Sequence, residues 1–353
     1  MSRHSCFRRV LESGGTVKKA RVALAAVLLI AFASGDAKVA SQTQTSSRTA
    51  QIEAKPFLGK WDMTVKTPNY SYPSWLEIYE AGDELRATFV GRTDHAIPLP
   101  AIAVSNGSLR FTAPADGHEK GEFEAKLLSG SLQGTVSNTD GTLWTWVGKR
   151  APALHRSGTP HWGKPETLFS GKDLIGWHES ASDGTAARHW SVADAELVSP
   201  GRGPDLISDR KFGDFKLHVE FKCGPNSNSG IYLRGRYEVQ IENDSASQPS
   251  SHHTGAVYGF LAPESELLRT TDQWQILDIT LIGRNVTIVQ NGTTIIDHKD
   301  IAGITGGALD SQEGGPGPIY LQGDEIGKTT FRNIVITTAI DEKISEGPRR
   351  DEN

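Results

Sequence analysis

Phe215-Lys216-Leu217-His218-Val219-Glu220-Phe221-Lys222 alternates without a break, apolar at every odd position and polar at every even one. Successive side chains of a strand point to opposite faces, so this octet predicts a strand with one face in a core and the other in water. His218 falls on the wet face and is expected at the surface. Downstream, two further strand patterns at 285–290 and 293–297 flank Asn291-Gly292. Both residues tolerate the positive φ of a tight hairpin turn, which makes this a strong hairpin signal. A succession of antiparallel strands over residues 166–338 predicts an all-β, two-sheet jelly-roll sandwich of the concanavalin-like kind.

Upstream, residues 56–150 carry a second set of short alternating runs, among them Trp75-Leu76-Glu77-Ile78-Tyr79 and Leu143-Trp144-Thr145-Trp146-Val147, separated by turn signals such as Asn106-Gly107 and Asp140-Gly141. Regularly spaced hairpins predict a small antiparallel β-barrel or sandwich domain. Its opening Gly59-Lys60-Trp61 is similar to the G-x-W start of lipocalin-like barrels. No acid–base or metal constellation stands out in this region, which reads as a binding or packing module. Residues 151–165, with Pro152, Pro160 and Pro165, read as a linker. The Ser/Thr/Gln-rich stretch within 36–55 reads as a flexible leader, and 339–353 as a charged tail.

Residues 1–35 read as a secretion signal. Lys18, Lys19 and Arg21 precede an apolar run from 22 to 33 that is too short to span a bilayer, and small residues follow. The expectation is an exported protein, periplasmic or extracellular, with no membrane span in the mature chain. Cleavage after Ala33 removes six basic residues and one acid, moving the formal charge from −5 to −10. An acidic chain without a basic block argues against nucleic acid as a partner. Cys6 lies ahead of the apolar run, so Cys223 would be alone, with no internal disulfide and no cysteine metal site. Its strand context reads as a buried small apolar residue.

Chemistry concentrates in residues 226–243, Asn226-Ser227-Asn228-Ser229-Gly230-Ile231-Tyr232-Leu233-Arg234-Gly235-Arg236-Tyr237-Glu238-Val239-Gln240-Ile241-Glu242-Asn243. A three-residue turn at 235–237 would pair Arg234 with Glu238, Leu233 with Val239 and Tyr232 with Gln240. That register separates polar from apolar side chains and puts Tyr232, Arg234, Glu238 and Gln240 on one face. Such a set suits sugar hydroxyls and a carbonyl. The same residues would equally make a cross-strand ion pair of little energetic weight on a solvated sheet. Glu238 and Glu242 lie four residues apart, about 13 Å along a regular strand. Two-carboxylate glycoside hydrolysis uses shorter separations, so it is disfavoured.

Seven segments then appear in a fixed order: Leu168-Phe169-Ser170-Gly171-Lys172-Asp173-Leu174-Ile175-Gly176-Trp177, Asn228-Ser229-Gly230-Ile231, Tyr237-Glu238-Val239-Gln240-Ile241, Thr254-Gly255-Ala256-Val257-Tyr258-Gly259, Asn291-Gly292, Gly317-Pro318-Ile319-Tyr320-Leu321-Gln322 and Phe331-Arg332-Asn333-Ile334. In this the region resembles the 3-keto-disaccharide hydrolase domain family. The resemblance implies a concanavalin-like jelly roll acting on oxidised oligosaccharides or glycosides. A ketone at C3 acidifies the C2 proton, so a base can remove it, the C1 substituent can leave, and water can add to the enone. This needs a base, a stabiliser for the enolate oxygen and an acid for the leaving group.

Read against those roles, Glu238 is the candidate base or metal-holding carboxylate. Arg234 would stabilise the enolate through its planar fork. Gln240 and Gln322 would position hydroxyls, and Tyr232 or Tyr258 would stack on the ring or donate a proton. His252-His253 reads as a solvated pair, or His253 acts as an acid or joins Glu238 around a divalent metal ion. Family members often carry a histidine after the Leu-Gln segment. Here Gln322-Gly323-Asp324-Glu325 stands instead, which makes Asp324 the substitute candidate. The reading from another class is a non-catalytic carbohydrate-binding or adhesion module.

Overall fold

The computed structural model describes residues 52–340, except 116–119, 157, 181–188, 200, 243–248, 266–270 and 324–326. The expected secretion signal, Asp324 and most of the charged tail lie outside the described residues. Among those described, no helix is long and apolar enough to cross a membrane.

The first region forms a nine-stranded antiparallel meander: β1 (Gly59–Lys66), β2 (Ser71–Ala81), β3 (Glu84–Val90), β4 (Ile97–Pro98), β5 (Ile102–Ser105), β6 (Ser108–Pro114), β7 (Lys120–Leu128), β8 (Ser131–Asn138) and β9 (Leu143–Arg150). The sheet order is β4-β3-β2-β1-β9-β8-β7-β6-β5, so the first and last strands pair and the ladder is open only between β4 and β5. Phe89 of β3 meets Phe123 of β7 at 5.4 Å although several strands separate them in the ladder. The sheet therefore curls around an aromatic interior as a barrel with one unbonded seam. Trp61 is fully buried, its indole N–H donating to Phe57 O (2.8 Å) and the Arg150 guanidinium lying 3.8 Å over its ring.

The second region supplies β10 (Glu166–Thr167), β11 (Trp177–Glu179), β12 (Ser191–Ala193), β13 (Glu196–Val198), β14 (Leu206–Phe212), β15 (Phe215–Cys223), β16 (Asn228–Leu233), β17 (Tyr237–Glu242), β18 (Gln275–Ile282), β19 (Asn285–Gln290), β20 (Thr293–Asp300), β21 (Gly317–Leu321) and β22 (Thr329–Thr338). One sheet runs β12-β13-β22-β15-β18-β19-β20, with β10 added to β22; the other runs β11-β14-β21-β16-β17. The alternating octet is the centre of the first sheet. Its odd residues Phe215, Leu217, Val219 and Phe221 face Ile231, Val239, Ile241 and Leu321 of the second in one core. This is a two-sheet jelly roll. Asn291 and Gly292 close the β19–β20 hairpin at φ +50° and +81°, as their side chains allow. His218 bonds Asp278 at 2.7 Å on the outer face, and Cys223 is buried and forms no disulfide among the described residues.

Both regions belong to one compact unit, Ala50–Asn353. Trp75 and Val90, on the outside of the barrel, are part of the jelly-roll core. The Trp75 indole is fully buried, edge-on to Phe260 at 5.4 Å, and lies against Gly303, where a Cβ would sit 2.6 Å from Cδ1 and closer still to Nε1 and Cε2. The connecting segment is also packed: Leu154 is buried, and Arg156 pairs with buried Asp214 at 2.8 Å. Beside Trp75, Asp62 of β1 faces Glu313, which Arg284 and Tyr237 (2.7 Å) hold by hydrogen bonds. Burial and the Glu313 charge push the Asp62 carboxyl up to about 9. Burial alone would raise Glu313 too, but its bonds to Arg284 hold it low. The pair thus shares one proton across the junction, at the edge of a cavity of about 700 Å³.

Candidate functional site

The β16–β17 hairpin differs from the sequence expectation. Tyr232 pairs with Glu238, Leu233 with Tyr237, Ile231 with Val239 and Gly230 with Gln240. Arg234 and Gly235 are both left-handed, at φ +53° and +67°, and Arg236 N donates to Leu233 O (3.1 Å). The loop is therefore 234–236, and the register moves by two residues. A two-residue slip preserves which face each side chain occupies. Tyr232, Glu238 and Gln240 stay together on the outward face of the five-stranded sheet, and Tyr237 joins the apolar stripe of Val239 and Ile241.

Arg234 is the correction. The left-handed turn carries its side chain off the polar face to the core side, fully buried, with its guanidinium 5.3 Å from the Tyr237 ring and Nη2 donating to Gly283 O. It cannot reach the face of Glu238, so its enolate role is withdrawn.

Glu238 is held from four directions. Its carboxyl lies over Gly230, where a Cβ would come within 2.9 Å of Glu238 Cγ and 3.0 Å of Cδ, and closer still to Oε1. Its backbone N–H donates to Thr305 Oγ1 (3.0 Å), and its carbonyl accepts from Tyr258 N (3.0 Å). Tyr232 Oη stands 2.9 Å from Glu238 Oε2 and 2.9 Å from Gly306 O. With one hydrogen and two acceptors, Tyr232 can donate to the carboxylate. Once that carboxyl is protonated, it can accept from it while donating to Gly306 O. Burial and the Glu238 charge push the Tyr232 hydroxyl well above its ordinary range, so it stays protonated. The arrangement can take up a proton at Glu238 without leaving a buried polar atom unmatched.

Sequence reasoning missed two further members. Tyr320 of β21 stacks on Tyr232 at 4.2 Å and 11°, and its hydroxyl bonds Asp205. Asp205, which also accepts from Gly323 N (2.9 Å), is pushed up by burial. Two tyrosine–carboxyl pairs thus lie side by side. Tyr320 sat within a quoted motif, and its neighbour across β21–β16 follows only from strand order.

Residues 255–258 extend the sheet past β17: Gln240 N donates to Ala256 O, Gly255 N to Gln240 O and Tyr258 N to Glu238 O. Tyr258 therefore reaches the Glu238 side, with His252 packed on its ring at 4.6 Å. Burial, with His95 and His253 close by, pulls His252 below its usual range. His252 and His253 are both buried, so the pair is not solvated. Gln240 accepts from Ile241 N (3.0 Å) through its own side-chain oxygen. Gln322 is tied to the sheet through its backbone, N donating to Gly230 O (2.9 Å), while its Oε1 has no hydrogen-bond partner among the described residues. Glu242 lies on the same regular strand as Glu238, with no register shift to shorten their separation. Among the described residues no group of three or more His, Cys, Asp or Glu side chains is arranged to hold a metal ion.

With this geometry in hand, residues 164–337 match the 3-keto-alpha-glucoside-1,2-lyase-like domain. That stretch is a domain of this family. A curated relative, the 3-keto-disaccharide hydrolase of Bacteroides thetaiotaomicron, is 29% identical over 87 residues, which is 22% of this chain and 30% of that protein. The chain thus matches less than a third of that relative's length. Among solved structures, two proteins of Parabacteroides distasonis provisionally assigned as glycosyl hydrolases are 27% and 20% identical. They cover 52% and 50% of this chain and 94% of each neighbour, with TM-scores of 0.41 and 0.41. The family domain contains Tyr232, Glu238, Tyr258 and Tyr320 but not the barrel.

Proposed function

We propose that the protein cleaves the glycosidic bond of a 3-keto-glycoside or 3-keto-disaccharide with net hydrolysis. Elimination across C1–C2 comes first, and water then adds to the enone. The observation that carries this is the Glu238 carboxyl, seated over Gly230 with a tyrosine hydroxyl placed between it and a carbonyl. Glu238 removes the C2 proton, and Tyr232 reverses its hydrogen bond as the carboxyl becomes neutral. Tyr258, whose backbone pairs with Glu238, and His252, packed on the Tyr258 ring, would serve the C3 oxygen and the departing C1 oxygen. In this reading His253, Gln240 and Gln322 would contact the sugar hydroxyls. A single strand-borne base suits elimination better than the long Glu238–Glu242 separation suits direct displacement. Family membership of residues 164–337 supports the choice of substrate.

Glu238→Gln keeps size and polarity but removes the base. Turnover of a 3-keto-glucoside should fall at least 100-fold while binding persists. Full turnover in this variant would sink the assignment, and binding without turnover in the wild type would leave a carbohydrate-binding module. Running the wild type with and without a chelator tests the divalent ion. Export belongs to the same proposal, and sequencing the N-terminus of protein recovered outside the cytoplasm tests it.

A further inference from the structure

The barrel reaches into the site through the loop at residues 91–96, between β3 and β4. Arg92 O accepts from Gly307 N (2.7 Å). Gly306, whose carbonyl faces the Tyr232 hydroxyl, lies so close to the loop backbone that a Cβ would be 2.7 Å from Thr93 C. On the other side, a Cβ on Gly259 would fall 2.7 Å from His95 Cβ. The loop is thus wedged between two jelly-roll segments that touch the candidate site. Its one imidazole, His95, meets His252 edge-on at 4.7 Å, and His252 packs on Tyr258 at 4.6 Å. His95, His252 and Tyr258 thus form a row whose last member pairs through its backbone with Glu238. His252 is buried, and His95 beside it is half-buried, so the barrel end of the row is partly accessible.

We infer that this loop is a binding subsite for the part of the substrate beyond the oxidised ring, with His95 hydrogen-bonding a hydroxyl of the second sugar. The inference rests on the proposed function for the orientation of the substrate. The other flank of Glu238 is occupied by the stacked Tyr232 and Tyr320 and by the Thr305–Gly307 turn, whereas the histidine flank ends in polar, partly accessible rings. An imidazole offers both a donor and an acceptor to adjacent hydroxyls. Because the loop belongs to the barrel, the barrel would set which leaving groups are accepted, while the chemistry stays in the jelly roll.

The test compares kcat and KM for a 3-keto-disaccharide and for methyl 3-keto-glucoside in wild type, His95→Ala and His95→Gln. The preference for the disaccharide should fall at least 10-fold in the alanine variant, mainly through KM, and be partly restored by glutamine. An unchanged preference, or equal losses on both substrates, overturns the subsite and leaves the reaction standing. If the wild type turns over neither substrate, the functional reading fails and imidazole NMR decides the subsite. Shifts of the His95 signals on adding an unoxidised disaccharide support it, and their absence overturns it.

Discussion

Replacing Gly230 by alanine asks whether the position of the Glu238 carboxyl matters. Gly230 has ordinary strand geometry, so alanine imposes no backbone strain, and its effect comes from the added methyl alone. That methyl would sit 2.9 and 3.0 Å from Glu238 Cγ and Cδ, where ordinary contacts are about 3.5–4.0 Å. The carboxyl must withdraw by roughly 0.5–1 Å. Tyr232 is not free to follow, because its hydroxyl also bonds Gly306 O at 2.9 Å and its ring is stacked on Tyr320. The 2.9 Å bond between carboxyl and hydroxyl must lengthen. Misplacing a catalytic group by about 1 Å costs on the order of 100-fold in rate, and overpacking costs about 1–3 kcal/mol of stability. The assay is kcat/KM on a 3-keto-glucoside, with Tm measured alongside. Gly224→Ala, whose nearest neighbour would be at 3.4 Å, serves as the control. Wild-type rates in a folded Gly230→Ala protein would refute either the seating of Glu238 or its role as base.

Two further outcomes concern the junction. Trp75→Ala empties a fully buried indole site shared by both regions and should cost about 3–5 kcal/mol, read as a fall in Tm. A change near zero would mean that the indole does not anchor the barrel. Asp62→Asn addresses the shared proton. A carboxyl raised in the folded state gives stability that is complete below its unfolded value near 4 and lost as pH rises through about 9. Wild-type Tm should therefore decline from pH 5 toward pH 9, and the asparagine variant, which can still donate to Glu313, should decline less. Parallel curves would show that Asp62 carries no extra proton.

Much of the fold was legible because it is written in parity. The 215–222 octet and the Tyr232, Glu238, Gln240 face depend on odd-even placement, which survived a hairpin slip of two residues, and the Asn291-Gly292 turn was legible from its tolerance of positive φ. Arg234 was illegible because a left-handed turn at a non-glycine residue has no periodic signature. Its clue was Tyr237, which continues the Val239-Ile241 apolar stripe. Tyr320 and its partner Asp205 come to Tyr232, and His95 to His252, only through strand order and packing between regions, which no local pattern records. Asp62 occupies a position that alternation reads as solvent-facing, and it is buried by another part of the chain.

The wedge of Trp75 against Gly303 bears on how this protein can be divided. Cutting the chain ahead of residue 164 would leave the family domain with an unfilled hole in its core and would strip Gly306 and Gly307 of their backing beside Tyr232. The smallest piece that could be transplanted into another protein with its chemistry intact is therefore the barrel and jelly roll together. Recombination that shuffled either alone would have to replace an indole, a histidine and a shared proton at once.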